Sequence, residues 1–430
     1  MTQRNVFGVH EKHTLHQLAD VKKKALKVAL MADGHLGYIM PIGGVAAYNN
    51  KVSVVGVGYD IACGNAAIKT DLKINSFGKK ELHDIATEIQ HTISFGIGRT
   101  NKALDAPIDD PLFGDAAWDA IPAKHGDRVA LWAKAQNQLG TVGSGNHYVD
   151  VFADEAGTVW IGVHFGSRGL GHTIASGFLA LGSGGEWSDR VKEQEVILDL
   201  ATPLGDAYWS AMKLAGQYAY VGREWVARKV MHILGGKEIE LVHNHHNYAW
   251  KEMHIVPVTP GENPDRLLAN LEEREVVVVR KGATPAFPGQ KGFVGGSMGD
   301  NAVILEGTVT QDHGIRTLQE NALYSTVHGA GRVMGRQDAK RGRAARDDDG
   351  KLIAGVPRDT STIITREMQQ DWLQAAGVIL RGGDVDEAPQ AYRRLPDVLE
   401  AQGSTIQVLH TLSPVIVVMA GTDVQDPYKD

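Results

Sequence analysis

The 430-residue chain has a single cysteine, Cys63, and therefore no internal disulfide. That usage favours a reducing compartment. No apolar run reaches the ~18 residues of a membrane span. The opening residues, MTQRNVFGVHEKHTLHQ, carry no apolar core of a signal peptide. Neither G-x-G-x-x-G nor G-x-x-x-x-G-K-[ST] occurs, so neither a dinucleotide-binding Rossmann unit nor a P-loop is supported. Internal repeats, low-complexity tracts and Pro/Ser-rich linkers are missing too, and there are only 15 prolines. Basic charge is not in excess: 44 Lys and Arg stand against 51 Asp and Glu, a net −7. That argues against coating a nucleic acid over the whole surface, though not against a local basic groove. The expectation is a soluble cytoplasmic protein with no membrane partner.

Glycine, by contrast, is abundant. The 50 glycines are about 12% of the chain against a usual ~7%. With so few prolines, the excess points to tight turns and to backbone lying close to a ligand. Apolar residues make up 43% and charged residues 22%, as expected of a chain with a sizeable core. Strand-like runs occur at 52–58, 158–164, 276–280, 303–306 and 414–419. Helical patterns occur at 79–93, 125–138, 188–200, 204–232, 362–380 and 388–401, with a long, mostly helical block at about 186–234 broken near Pro203. Strands and helices mix without a βαβ beat, which predicts an α+β fold with mixed sheets and surrounding helices.

Three features could carry chemistry. Asp60 and Cys63 lie three apart in a Gly-rich turn after a strand-like run. A carboxylate and a thiolate so placed can share a metal ion; taken alone, Cys63 reads first as a small buried hydrophobe. His147, His164, His246 and His328 occupy Gly-rich or strand-flanking loops and would supply further ligands for zinc, manganese, iron or cobalt. The outermost of these, Asp60 and His246, lie almost 190 residues apart, so their convergence requires that span to form one interleaved domain; the expectation is a single domain over 1–430, although length alone would suggest two or three. Gly140–Asn146 and Gly295–Gly299 could form anion nests beside Arg280 and Lys281, or could be plain turns. The basic residues Arg332, Arg336 and Lys340, four apart, predict one helical face suited to RNA phosphates or to solvent.

Taken in order, Asp33-Gly-His35, Pro41-Ile-Gly-Gly44, Gly58-Tyr-Asp-Ile-Ala-Cys-Gly64, Gly145-Asn-His147, His164 with Gly166-Ser-Arg-Gly169, His246-Asn-Tyr248, Arg280-Lys-Gly-Ala-Thr284, Gly296-Ser-Met-Gly299, His328-Gly-Ala-Gly-Arg332 and Leu409-His-Thr-Leu412 resemble the RtcB family of GTP-dependent RNA ligases. The resemblance implies joining of RNA 3′-phosphate or 2′,3′-cyclic phosphate ends to 5′-hydroxyl ends, in tRNA splicing or RNA repair. It makes His328 the residue that takes up GMP. Two Mn²⁺ ions would be held by Asp60, Cys63, His147, His164 and His246, with Cys63 bridging. GMP contacts are implied at Asn146, Asp150, Lys281, Gly296, Ser297, Met298, Gly299, Gly329, Ala330 and Gly331, and RNA contacts at Arg168, Arg332, Arg336 and Lys340.

Three positions depart from the family pattern: Asp150 stands where Glu is usual, Ala302 where Ser is frequent and Ala420 where a nucleotide-contacting Lys is expected. They make the chain resemble a divergent paralogue. The competing readings are a metal-dependent RNA-end phosphatase or cyclic phosphodiesterase, and an RNA-end binder without catalysis.

Overall fold

The structure is a computed structural model that describes residues 5–261, 270–422 and 424. Two large sheets, two two-stranded ones and the helices around them form an α+β fold. The smaller sheet is antiparallel, in the order Lys27–His35, Ile42–Tyr48, Leu271–Lys281, Asn247–Pro257. The larger runs Lys291–Val294, Ala302–Gly307, Ile406–Met419, Tyr148–Ala153, Thr158–Phe165, Gly64–Lys73, Glu238–His245. Ile379–Arg381 adds to it in parallel with Ile406–Met419. Hairpin neighbours such as Tyr148–Ala153 and Thr158–Phe165 thus alternate with pairs far apart in the chain, such as Ile42–Tyr48 with Leu271–Lys281 and Ile406–Met419 with Tyr148–Ala153.

The run Thr158–Phe165 reads as continuously apolar because both of its faces are covered, and every residue in it is buried. Ile161 and Val163 face Ile85, Ile89, Val226 and Val230 of the helices Lys79–Thr92 and Pro203–Leu234. Trp160 faces Phe152, Phe293 and Ile304 on the other side. Fully burying side chains of this size contributes about 1.5–3 kcal/mol each. Among the described residues, no helix is long and apolar enough to cross a membrane.

Several sequence expectations need correction. Pro203 does not interrupt a helical block; it opens the helix Pro203–Leu234, with the Thr202 hydroxyl accepting from the Gly205 N–H and Gly235 ending it at φ 74°. Proline suits a first turn, where its missing N–H has no intrahelical partner. The segment 188–200 is not helical: Ile197–Asp199 is a short strand paired with Lys51–Ser53. The valine-rich run at 52–58 stops being a strand at Ser53, whose hydroxyl accepts from the Gly56 N–H and caps the turn Val54–Val57. The helix Arg168–Gly182 was not foreseen, because its four glycines lower its propensity. Burial of Leu170, Ile174 and Phe178 overrides that preference.

Candidate active site and metal centre

Register places the metal-type side chains together. In the larger sheet Gly64 lies opposite Phe165 on one side and His245 on the other, and Tyr148 lies opposite His164. The strands are antiparallel, so the residue before Gly64 (Cys63), the residue before Tyr148 (His147), His164 and the residue after His245 (His246) all reach one end of the sheet. His246 also joins this sheet to the smaller one, whose strand Asn247–Pro257 follows at once. Backbone bonds stitch the loops: the Cys63 carbonyl accepts from the N–H of His246 at 2.8 Å, and the Asn247 carbonyl from the N–H of Ala62 at 2.7 Å. Ala62 takes φ 61°, a strained value for a residue with a Cβ.

Two groups of three potential ligands result, Asp60–Cys63–His147 and Cys63–His164–His246, each with its atoms within 4.8 Å of one another. Cys63 belongs to both. Its sulfur lies 3.2 Å from His164 Nε2 and 3.6 Å from His147 Nε2, and Asp60 Oδ2 lies 3.1 Å from His147 Nε2. Burial pushes the Cys63 thiol well above its ordinary range, with Asp60 adding to the effect. Burial, reinforced by neighbouring imidazoles, holds His164 and His246 well below theirs. Burial alone would raise Asp60, but its hydrogen bond with His147 holds it below the carboxylate range. Neutral imidazoles beside a buried thiol and a carboxylate are a donor set that a divalent ion can draw together, displacing the thiol proton as it binds. The buried Nδ1 atoms of His147 and His246, without hydrogen-bond partners, agree with this. Sulfur, nitrogen and oxygen donors together fit borderline divalent metals.

Next to this cluster stands His328, its ring centroid 4.9 Å from that of His246. The fully buried Asp33 grips it: Oδ2 lies 2.6 Å from Nδ1 and accepts from the His328 backbone N–H at 3.1 Å. A carboxylate accepts only, so Nδ1 carries the hydrogen and the Nε2 lone pair is left outward. Gly331, at φ 74°, permits this approach; a Cβ there would lie 2.5 Å from the Asp33 carbonyl oxygen. No role for Asp33 was read from the sequence, although it stands in the Asp33-Gly-His35 motif.

Both features open into a cleft of about 2450 Å³. Since sites for small ligands are usually ~300–1,000 Å³, the cleft has room for a nucleotide and more. All five metal-type residues and His328 line it, as do Asn146, Asp150, Lys281, Gly296, Ser297, Met298, Gly329, Ala330, Gly331, Arg168, Arg332 and Arg336. Gly299 and Lys340 do not. Gly299 instead packs beneath Trp372, whose ring would lie 2.6 Å from a Cβ there. Arg280 is also turned away: fully buried, it forms a paired contact with Glu252 at 2.7 and 3.0 Å, so of this pair only Lys281 lines the cleft. Burial lowers Lys281 to about 8, and burial raises Asp150 well above the carboxylate range. Ala302 is buried among Phe293 and Ile304. Ala420 is buried outside the cleft wall, which Val417 and Met419 form in this stretch.

The basic residues do not form one helical face. The helix Arg336–Arg341 begins only at Arg336, and Arg332 precedes it. Glu387, 3% exposed, accepts from Arg332 Nη1 and Arg336 Nε, both at 2.9 Å. Lys340 pairs with Asp384 at 2.5 Å and Asp386 at 3.5 Å. Burial would raise Glu387, but Arg332 and then Arg336 hold it below its ordinary range. Removing one partner of such a buried set costs on the order of 3–5 kcal/mol. Glu387→Ala is therefore expected to lower unfolding free energy by about that much in a urea titration. A loss within experimental error would show that the two arginines do not depend on it. Arg168, at φ 55°, is tied instead to the Thr141 hydroxyl and the Gly96 carbonyl.

A cluster of possible metal ligands beside a carboxylate-oriented histidine, lining one large cleft, has the make-up of a metal-dependent active site. The family model described as tRNA-splicing ligase RtcB matches residues 14–420. The RNA-splicing ligase RtcB of Escherichia coli K12 is 30% identical over 420 residues, covering 91% of this chain and 89% of that protein. The tRNA-splicing ligase RtcB of Thermococcus kodakarensis is 31% identical over 383 residues, 73% of this chain and 74% of that one. The corresponding protein of Archaeoglobus fulgidus is 28% identical over 468 residues, 92% and 88%. The chain belongs to the RtcB family.

Proposed function

We propose that this protein is an RNA ligase that joins RNA 3′-phosphate or 2′,3′-cyclic phosphate ends to 5′-hydroxyl ends, using GTP and GMP carried on His328. The observation that carries the reading is the 2.6 Å contact between Asp33 and His328 Nδ1 beside the ligand cluster. It engages Nδ1 and leaves Nε2 as the nitrogen available to react. That atom attacks the α-phosphorus of GTP, forming a P–N bond as pyrophosphate leaves. An oxygen of the RNA 3′-phosphate then takes the GMP and breaks the P–N bond, returning the electron pair to Nε2. The 5′-hydroxyl attacks the activated 3′-phosphorus and GMP departs, sealing the strand. A cyclic phosphate end must first be opened by water to the 3′-phosphate.

Manganese fits the residues present: Asp60, Cys63 and His147 would hold one ion, Cys63, His164 and His246 a second, and bound ions supply charge neutralisation for in-line displacement. Asn146, Asp150, Lys281 and the turns at Gly296–Met298 and Gly329–Gly331 line the space around His328 and suit GMP. Arg168, Arg332 and Arg336 line the same cleft and are the cationic groups we assign to RNA-end phosphates.

Intact-mass measurement after incubation with Mn²⁺ and each of the four ribonucleoside triphosphates tests the reading. The expected result is a gain of one GMP with GTP, acid-labile and alkali-stable, and no gain in His328→Ala. If no triphosphate gives an adduct, ligation by this route is refuted, and end hydrolysis or simple end binding takes its place.

A further inference from the structure

Arg223 lies on the helix Pro203–Leu234 at a position of its buried stripe, between Ala219 and Val226, and is 0% exposed. Four of its N–H donations are accounted for. Nη1 donates to the carbonyls of Ala62 at 2.8 Å and Phe165 at 2.6 Å; Nη2 lies 2.8 Å from His245 Nδ1, and Nε donates to His243 Nε2 at 2.8 Å. Ala62 precedes Cys63, Phe165 follows His164 and His245 precedes His246. One planar guanidinium therefore holds the chain neighbours of three of the five candidate ligands. Among the described residues, no ion pair of Arg223 with a carboxylate is present; its charge faces the Asp60–Cys63 cluster instead. A buried cation without an ion-pair partner is unfavourable unless its surroundings compensate it.

The neighbours are shaped to fit this group. The His245 ring stacks on Tyr220 with centroids 3.9 Å apart, and His243 Nδ1 lies 3.5 Å from Glu224. That partner sets His243 as an acceptor at Nε2, as the bond from Arg223 requires. Gly64 leaves the passage open: a Cβ there would lie 3.1 Å from Arg223 Cζ and 2.2 Å from the Asn244 carbonyl oxygen.

We infer that Arg223 is a positioning residue that sets the spacing of Cys63, His164 and His246, so that cations bind a preformed site. This rests on the proposed metal centre. A fixed fork of five donors can do this and an ammonium cannot, because a lysine lacks the planar geometry to reach acceptors on three segments. Loss of outer partners of this kind typically weakens metal binding ~10–100-fold.

The test is titration of the metal-free protein with Co²⁺, following the thiolate-to-cobalt absorption bands, with circular dichroism and thermal melting as controls. Wild type is expected to show bands saturating at two ions per chain; if it shows none, the metal centre itself is wrong. Arg223→Lys is expected to stay folded and bind Co²⁺ about 10–100-fold more weakly, with altered bands. A folded Arg223→Lys with wild-type affinity and spectrum overturns the inference. Should that variant not fold, His245→Phe keeps a ring on Tyr220 but removes one acceptor of Arg223. Weaker binding with changed bands then supports the role, and wild-type titration curves overturn it.

Discussion

Cys63→Ala is expected to empty both cation positions at once while the protein stays folded. Cys63 is common to the two groups of ligands, so its loss leaves Asp60 with His147 on one side and His164 with His246 on the other. Two neutral imidazoles alone make a weak site for a divalent ion. The fall in affinity should exceed the ~10–100-fold typical of losing an outer partner. The cost to the fold is small by comparison, because a protonated buried thiol packs as a small hydrophobe, and removing its sulfur costs on the order of 1 kcal/mol. Elemental analysis of purified protein and a melting curve of the metal-free form check both halves. Metal content equal to wild type would remove the shared-ligand arrangement. GMP transfer to His328 should disappear with the ions.

Asp33→Asn tests the histidine rather than the metal. With the carboxylate in place, Nδ1 is the protonated nitrogen of His328 and Nε2 the free one. An amide can turn its NH₂ toward Nδ1, which moves the hydrogen to Nε2 and removes the nucleophilic lone pair. Where a carboxylate fixes the tautomer of a catalytic histidine, the same exchange lowers the rate by roughly 10⁴-fold. Single-turnover formation of the GMP adduct is expected to slow by about 10²–10⁴-fold, with little change in the GTP concentration required. His328→Ala should abolish it. An unchanged rate in folded Asp33→Asn would end the orienting role of Asp33 and leave His328 in question only if its own variant also reacts.

The side chains that gather in the cleft were easier to single out in the sequence than the scaffold that gathers them. Asp60, Cys63, His147, His164, His246 and His328 were legible because thiol, carboxylate and imidazole in Gly-rich loops form an uncommon pattern, and a resemblance ordered them. Arg223 was not legible by the same route. It sits among ordinary surface-type neighbours such as Glu224 and Arg228, and its only signal is a charge inside the stripe formed by Ala219, Val226 and Val230. The charge run at 332–340 misled for the opposite reason: its partners Asp384, Asp386 and Glu387 lie some fifty residues away and only the fold brings them in. Segment 188–200 was mistaken for a helix because pairing with Lys51–Ser53 is a non-local event. Non-local pairing overrides local propensity in strands more than in helices.

The place of Ile406–Met419 has a consequence for how the molecule is made. This strand lies inside the larger sheet, between Ala302–Gly307 and Tyr148–Ala153. During synthesis at about 5–20 residues per second, the strands on both sides emerge well before it. Until it arrives, each keeps an open edge of unpaired N–H and C=O groups, the kind of template that recruits other chains. The two parts of this sheet can each pair within themselves, but they join only when this strand arrives. Dependence of yield on chaperones that shield strand edges, and slow refolding dominated by long-range pairing, follow from that one insertion.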